Sequence, residues 1–102
     1  MPYLYFMNSL STIQKKLQEI KPALVAKYGV NTIGLFGSVV RDDFTNESDI
    51  DIVVDFSKPI GIEFIDLAYE LEAIFKRKVD LVSLDGIKPK YMRVIEPEII
   101  YV

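Results

Sequence analysis

Residues 49–56 read DIDIVVDF. Every second residue is apolar, the period of a β-strand with one face in a core and the other turned outward. The inward set is Ile50, Ile52, Val54 and Phe56, and the outward set is Asp49, Asp51, Val53 and Asp55. The pattern predicts a strand over residues 49–56 that begins with two aspartates, Asp49 and Asp51, on its outer face.

Upstream of this strand, the sequence predicts helices and another strand. Apolar residues at steps of three and four predict a helix from Ser9 to Ile20. Pro22 is expected to break it and to open a second short helix, which ends before Gly29. Residues 30–36, VNTIGLF, are typical of a strand and end abruptly at Gly37-Ser38.

Downstream, the same reasoning predicts three further elements and a terminal extended segment. They are a helix over 62–75, a strand over 79–83, a helix over 88–95 and an extended segment over 98–102. No repeat or linker divides residues 1–102, so we expect a single α+β domain. Its architecture is predicted to be a small mixed β-sheet with helices packed on one face.

Composition excludes several classes of chemistry. The 102 residues contain no cysteine and no histidine, which excludes disulfides, thiolate and imidazole metal sites, and Cys- or His-based catalysis. Any metal must therefore bind to oxygen ligands. A net charge of −3 lacks the positive field of a nucleic-acid binder, so a direct nucleic-acid partner is not expected. No apolar run is long enough for a membrane helix and no signal peptide is evident, so we expect a cytoplasmic protein without a membrane partner.

One constellation points to chemistry: Gly37-Ser38, ten intervening residues, and then Asp49-Ile50-Asp51. A glycine at a strand end lets the backbone approach a phosphate, and the N–H groups of a following helical turn point at an anion. Two aspartates two apart on a strand project from one face, about 6.5–7 Å apart at Cα. That spacing suits carboxylates that share Mg²⁺ with a triphosphate.

Each of these features also has a purely structural interpretation. Asp49, Asp51 and Asp55 are the residues expected on the solvated face of a half-buried strand, and Gly37-Ser38 alone is an ordinary strand-ending turn. The combination favours a site for the first two aspartates, whereas Asp55 is interpreted as a solvated residue. Asp80, inside the third strand, is open to both interpretations.

These residues carry a resemblance to a known family. Gly37-Ser38, Arg41, residues 48–51 (SDID) and residues 79–82 (VDLV) resemble the DNA polymerase β-like nucleotidyltransferase superfamily, in particular its minimal nucleotidyltransferase (MNT) branch. The resemblance covers nearly the whole chain and implies the polymerase β-like fold. The chain departs from the common pattern at Asp42-Asp43, where a glycine is usual, and this leaves the role of Arg41 open.

The resemblance also implies a role for each motif. Gly37 and Ser38 would hold the triphosphate, with Arg41 on the phosphate side. Asp49 and Asp51 would bind Mg²⁺, with two ions expected, and Asp80 would complete the metal site and help to activate the acceptor hydroxyl. The implied substrate is ATP, from which AMP is transferred to a hydroxyl group.

MNT proteins of this kind act as antitoxins to HEPN-domain toxins and attach AMP to a toxin tyrosine, so a HEPN protein is the implied partner. A non-catalytic antitoxin or binding module is the first alternative, and the intact set of three aspartates argues against it. Nucleotidyl transfer to a small molecule such as an aminoglycoside is the second. The absence of an added substrate domain argues against that alternative.

The mean hydropathy of +0.21 is high for so small a domain and suggests apolar surface outside the core. Residues 3–7 and 87–95, with Tyr91 and Met92, are the candidates for a docking surface. The same surface is expected to permit self-association of the isolated protein.

Overall fold

The computed structural model describes residues 9–41, 44–45 and 47–102. The helices and strands, in chain order, are α1 (Leu10–Tyr28), β1 (Val30–Phe36), β2 (Ile50–Phe56), α2 (Glu63–Phe75), β3 (Val79–Ser83), α3 (Pro89–Ile95) and β4 (Ile100–Tyr101). The predicted α+β class and the order of the long elements are confirmed.

The first helix is continuous, so the predicted break at Pro22 is wrong. Pro22 lies inside α1, which runs from its N-cap Ser9 to Gly29, the latter in the left-handed conformation with a φ of 72°. Proline removes one N–H, and the carbonyl that loses its partner is that of Gln18. Both residues are exposed, so that carbonyl lies on the solvent side of the helix. The buried apolar face, with Leu17 and Leu24 on either side of the proline, continues without interruption.

The sheet is mixed and has the strand order β3-β2-β1-β4. β2 pairs antiparallel with β1, β4 pairs antiparallel with β1, and β3 pairs parallel with β2. The strand predicted from residue 49 begins one residue later, at Ile50, whose N–H donates to the carbonyl of Lys78 at 3.0 Å. Asp49 therefore lies in the connection that leads into β2.

The core lies between one face of the sheet and the two long helices, as the sequence predicts. It is formed by apolar residues of α1, α2 and the first three strands, among them Ile13, Leu17, Leu35, Ile52 and Leu71, all fully buried. No residue of α3 is buried. Within the described residues, no helix has both the length and the apolar character that crossing a membrane requires.

Candidate active site

The turn after β1 depends on a glycine at position 37. Phe36 is the last extended residue, and Gly37 then takes a φ of 74°, which favours glycine. A Cβ at this position would overlap Oδ2 of Asp51. The carbonyl of Gly37 accepts the N–H of Val40 at 3.0 Å and that of Arg41 at 3.2 Å, which closes a short helical turn. Gly37 thus brings the turn into contact with the aspartate of the neighbouring strand.

Three predicted aspartates lie at the same end of the sheet. Asp51 is paired in register with Phe36 of β1 on one side and with Asp80 of β3 on the other. Residues paired in register point to the same face, so the carboxylates of Asp51 and Asp80 are neighbours. Asp49, two residues before Asp51, is close enough to act on the charge of Asp51. Asp49 and Asp51 are half-buried, and Asp80 is exposed.

The environment of Asp51 is unfavourable to its negative charge. Burial, followed by the charges of Asp80 and Asp49, raises the pKa of its carboxyl from 3.8 to about 6. Arg41 and the main-chain N–H of Ser38 act in the opposite sense but do not cancel the rise. The strand end therefore carries an excess of negative charge that a cation would relieve.

The ligand chemistry at this strand end fits a hard divalent cation such as Mg²⁺, because every donor is a carboxylate oxygen. The arrangement is not yet that of a complete metal site. In the part of the chain that the structure describes, no three acidic side chains already lie at the mutual spacing that would hold one ion. Asp49, Asp51 and Asp80 therefore do not form a three-carboxylate metal site in this arrangement.

The turn that is predicted to bind phosphate, residues 37–41, is contacted by a residue that the sequence did not indicate, Glu98. Its Oε1 accepts the N–H of Gly37 at 2.9 Å, and both carboxylate oxygens lie 3.4 Å from Nη1 of Arg41. The sequence predicts that the N–H groups of this turn point at an external anion. Instead, the N–H of Gly37 donates to Glu98, and that of Ser38 is near enough to Asp51 to lower its pKa.

Arg77 is a second residue that sequence reasoning missed. Its Nη2 donates to the carbonyls of Thr45, at 2.6 Å, and Ser48, and its guanidinium lies 4.4 Å from the ring centroid of Phe44. Burial lowers the pKa of Arg77, and the nearby charge of Asp49 opposes that change. Arg77 therefore fixes the segment that leads into the aspartate pair. In the sequence it is one of three consecutive cations, residues 76–78, that follow α2.

Comparison with protein families places this geometry in context. A family described as "Polymerase beta, Nucleotidyltransferase" matches residues 18–101, which include every candidate site residue. A candidate protein adenylyltransferase of Methanocaldococcus jannaschii is 42% identical over 100 residues, covering 94% of this chain and all of the relative.

Two further similarities extend the comparison. The protein adenylyltransferase MntA of Thermococcus cleftensis is 38% identical over 97 residues, covering 94% of this chain and 98% of the relative. One chain in a crystal structure of the toxin–antitoxin pair MntA–HpeT, which carries the substitution Y104A, has a sequence 26% identical to this chain and a TM-score of 0.68. That similarity covers 83% of this chain and 69% of the chain in the crystal structure.

Proposed function

We propose a function for this chain from the family to which it belongs, the polymerase beta nucleotidyltransferases: it is a Mg²⁺-dependent transferase that moves AMP from ATP to a hydroxyl on a partner protein. One observation supports this most directly. Asp51 lies beside Asp80 and against the Gly37-Ser38 turn, so the residues that suit a metal and those that suit a triphosphate meet at one strand end.

In this proposal, Asp49, Asp51 and Asp80 hold the metal, with two ions as the expected number. Bound Mg²⁺ supplies neutralisation of the charge that develops on the phosphates during transfer. The raised pKa of Asp51 supports the assignment, since these carboxylates are costly to keep charged together without a cation.

Gly37, Ser38 and Arg41 bind the triphosphate. The hydroxyl of Ser38 and the guanidinium of Arg41 are donors suited to phosphate oxygens. The acceptor oxygen attacks the α-phosphorus, the bond from that phosphorus to the bridging oxygen breaks, and pyrophosphate leaves. Asp80 is exposed and beside Asp51, where it can take the proton of the acceptor hydroxyl.

The acceptor in this proposal is a tyrosine of a HEPN-domain toxin, which makes the chain an antitoxin of the cytoplasm. The similarity to the adenylyltransferase MntA and to the MntA–HpeT toxin–antitoxin structure supports this assignment. The similarity covers 98% of that MntA.

We assign the docking surface to the exposed side of α3. Tyr91 is 55% exposed and Val94 is 72% exposed, whereas Met92 is half-buried. The other predicted segment, residues 3–7, lies outside the described residues. Replacing Tyr91 and Met92 together by serine is expected to reduce both labelling of the partner and self-association, as measured by gel assay and sedimentation. If a folded variant labels the partner and self-associates as the wild type does, the docking surface lies on another face.

The proposed activity can be tested with the purified protein, Mg²⁺, ATP labelled at the α-phosphate, and a lysate of the source cells. We expect one labelled protein band, and peptide mass spectrometry should locate an adenylyl group on a tyrosine. Label in a small-molecule fraction instead would favour the small-molecule alternative. If wild-type protein binds MgATP and the toxin but labels nothing, the chain is a non-catalytic antitoxin.

A further inference from the structure

We propose that Glu98 is a positioning residue of the nucleotide site, an inference that rests on the function proposed above. Its carboxylate accepts the N–H of Gly37 at 2.9 Å and lies 3.4 Å from Nη1 of Arg41. Gly37 and Arg41 are the first and last residues of the phosphate-binding turn, because the N–H of Arg41 donates to the carbonyl of Gly37. One side chain therefore holds both ends of that turn.

The turn meets two carboxylates, and they differ in what catalysis demands of them. Asp51 packs against Gly37, and the main-chain N–H of Ser38 lowers its pKa, but Asp51 is also an assigned ligand of the metal. If its oxygens turned toward a cation, its contact with the turn would weaken. Glu98 has no such second duty in the proposed site. It is the anchor that can keep the turn in place throughout.

Glu98 is held firmly by the segment that carries it. It ends a short 3₁₀ turn, Glu96–Glu98, and β4 begins two residues later with Ile100, which pairs with Leu35 of β1. Ile99, between them, packs over Gly34, where an added Cβ would lie 2.9 Å from its Cγ2. The Glu98 side chain is only 25% exposed, so water competes weakly for its hydrogen bond.

A different role for Glu98 makes the opposite prediction. If its carboxylate only occupied the place of a phosphate oxygen, removing it would open that place to a phosphate and would tighten ATP binding. If it positions the turn, removing it weakens ATP binding. The substitution Glu98→Gln separates these two roles further, because the amide carbonyl oxygen can still accept the Gly37 N–H although the negative charge is gone.

The experiment compares Glu98→Ala and Glu98→Gln with the wild type, and uses Glu96→Ala, an exposed glutamate of the same turn, as the matched control. Amide hydrogen exchange of Gly37 is measured without metal. MgATP binding is measured by calorimetry, and KM for ATP and kcat are measured by transfer. These readouts separate the anchoring of the turn, nucleotide binding and chemistry.

For Glu98→Ala we expect Gly37 exchange about tenfold faster, and Kd and KM for MgATP about tenfold higher, as for loss of one charged hydrogen bond. We expect kcat within about threefold of the wild-type value. Glu98→Gln should restore Gly37 protection and most of the affinity, and Glu96→Ala should match the wild type. A wild type that binds MgATP without transferring label refutes the proposed function alone, because the exchange and binding comparisons still measure the role of Glu98.

Tighter MgATP binding in either variant overturns the proposal in favour of simple competition. Unchanged affinity in Glu98→Ala, with Gly37 exchange accelerated, also overturns it and leaves Glu98 a purely structural contact. If Glu98→Ala does not fold, Glu98→Gln decides: a large loss of affinity despite normal Gly37 protection would show that the anchoring bond is not what matters.

Discussion

Asp51 and Asp55 lie on the same face of β2, four residues and about 13 Å apart, yet the molecule surrounds them differently. Asp51 faces Asp80 across the β2–β3 pair, and the main-chain N–H of Ser38 lowers its pKa. Asp55 is paired with β1 alone, since the register with β3 ends at Val54, and it accepts a hydrogen bond from Nδ2 of Asn31 at 3.1 Å. Alternation along a strand determines which residues face outward, but the neighbouring strand and turn determine which of them form a site.

Neutralising each aspartate in turn tests whether the two ends of β2 differ in function. Asp51→Asn is expected to lower nucleotidyl transfer about a thousandfold, because a metal ligand contributes several kcal/mol of charge stabilisation. The fold should persist, since the substitution removes like-charge repulsion. Asp55→Asn is the matched control and should retain activity within about twofold, measured by initial rates with labelled ATP. Equal losses in the two variants would show that the two ends of β2 do not differ in function.

Arg77 concerns the Asp51 end of β2 as well, because it bonds the segment that enters β2 there. Arg77→Lys keeps the charge but cannot reproduce the planar contact with Phe44 and the paired bonds to two carbonyls. We expect a loss of about 1–2 kcal/mol in the free energy of unfolding and a roughly fivefold drop in transfer, as Asp49 loses its fixed position. Chemical denaturation and rate assays measure the two effects.

Lys78→Ala is the control for Arg77, since Lys78 is exposed and one residue away. This substitution should change neither the free energy of unfolding nor the rate of transfer appreciably. A normal rate in a destabilised Arg77→Lys protein would restrict Arg77 to folding and separate it from the site.

The smallest expected effect concerns pH in the absence of metal. The pKa of Asp51 is raised from 3.8 to about 6, so the folded protein binds this proton more tightly than the unfolded chain does. The free energy of unfolding should therefore fall as pH rises from about 4 to about 6 and then stay level. After allowance for the half-exposed position of Asp51, the contribution is about 1 kcal/mol.

Urea denaturation at pH 4.5 and pH 7 measures the contribution of Asp51 to the free energy of unfolding when the wild type is compared with the variants. Asp51→Asn should lose less stability than the wild type between the two pH values, by about 1 kcal/mol, whereas Asp55→Asn should follow the wild type. If the two variants behave alike, the charge excess is not concentrated at the Asp51 end.

Local patterns in the sequence predict much of the fold and only part of the candidate site. Alternation located β2 to within one residue, and the Gly37-Ser38 spacing from Asp49 indicated the contact between turn and strand. The predicted break at Pro22 is wrong because a proline on the solvent face destabilises a helix little when the apolar face of that helix packs continuously. The roles assigned to the site residues remain predictions.

Glu98 and Arg77 were beyond local patterns for a physical reason. The bond from Gly37 to Glu98 spans 61 residues, and the bond from Arg77 to the Ser48 carbonyl spans 29. Such contacts exist only after the sheet has formed, and neither glutamate nor arginine has a spacing signal that would mark it. A charged residue near a chain end or a helix end is usually a solvated one, and these two are exceptions that tertiary structure creates.

Transfer of the adenylyl group of ATP at the Asp51 end of β2 can be followed with ATP labelled at the α-phosphate or at the γ-phosphate. Parallel reactions contain Mg²⁺ and the acceptor protein, and each is repeated with Asp51→Asn and Asp55→Asn. We expect that only α-label reaches the acceptor, that chelation of Mg²⁺ abolishes the transfer, and that Asp51→Asn loses it while Asp55→Asn keeps it. Transfer of γ-label, or α-label transferred equally by Asp51→Asn, would contradict this expectation.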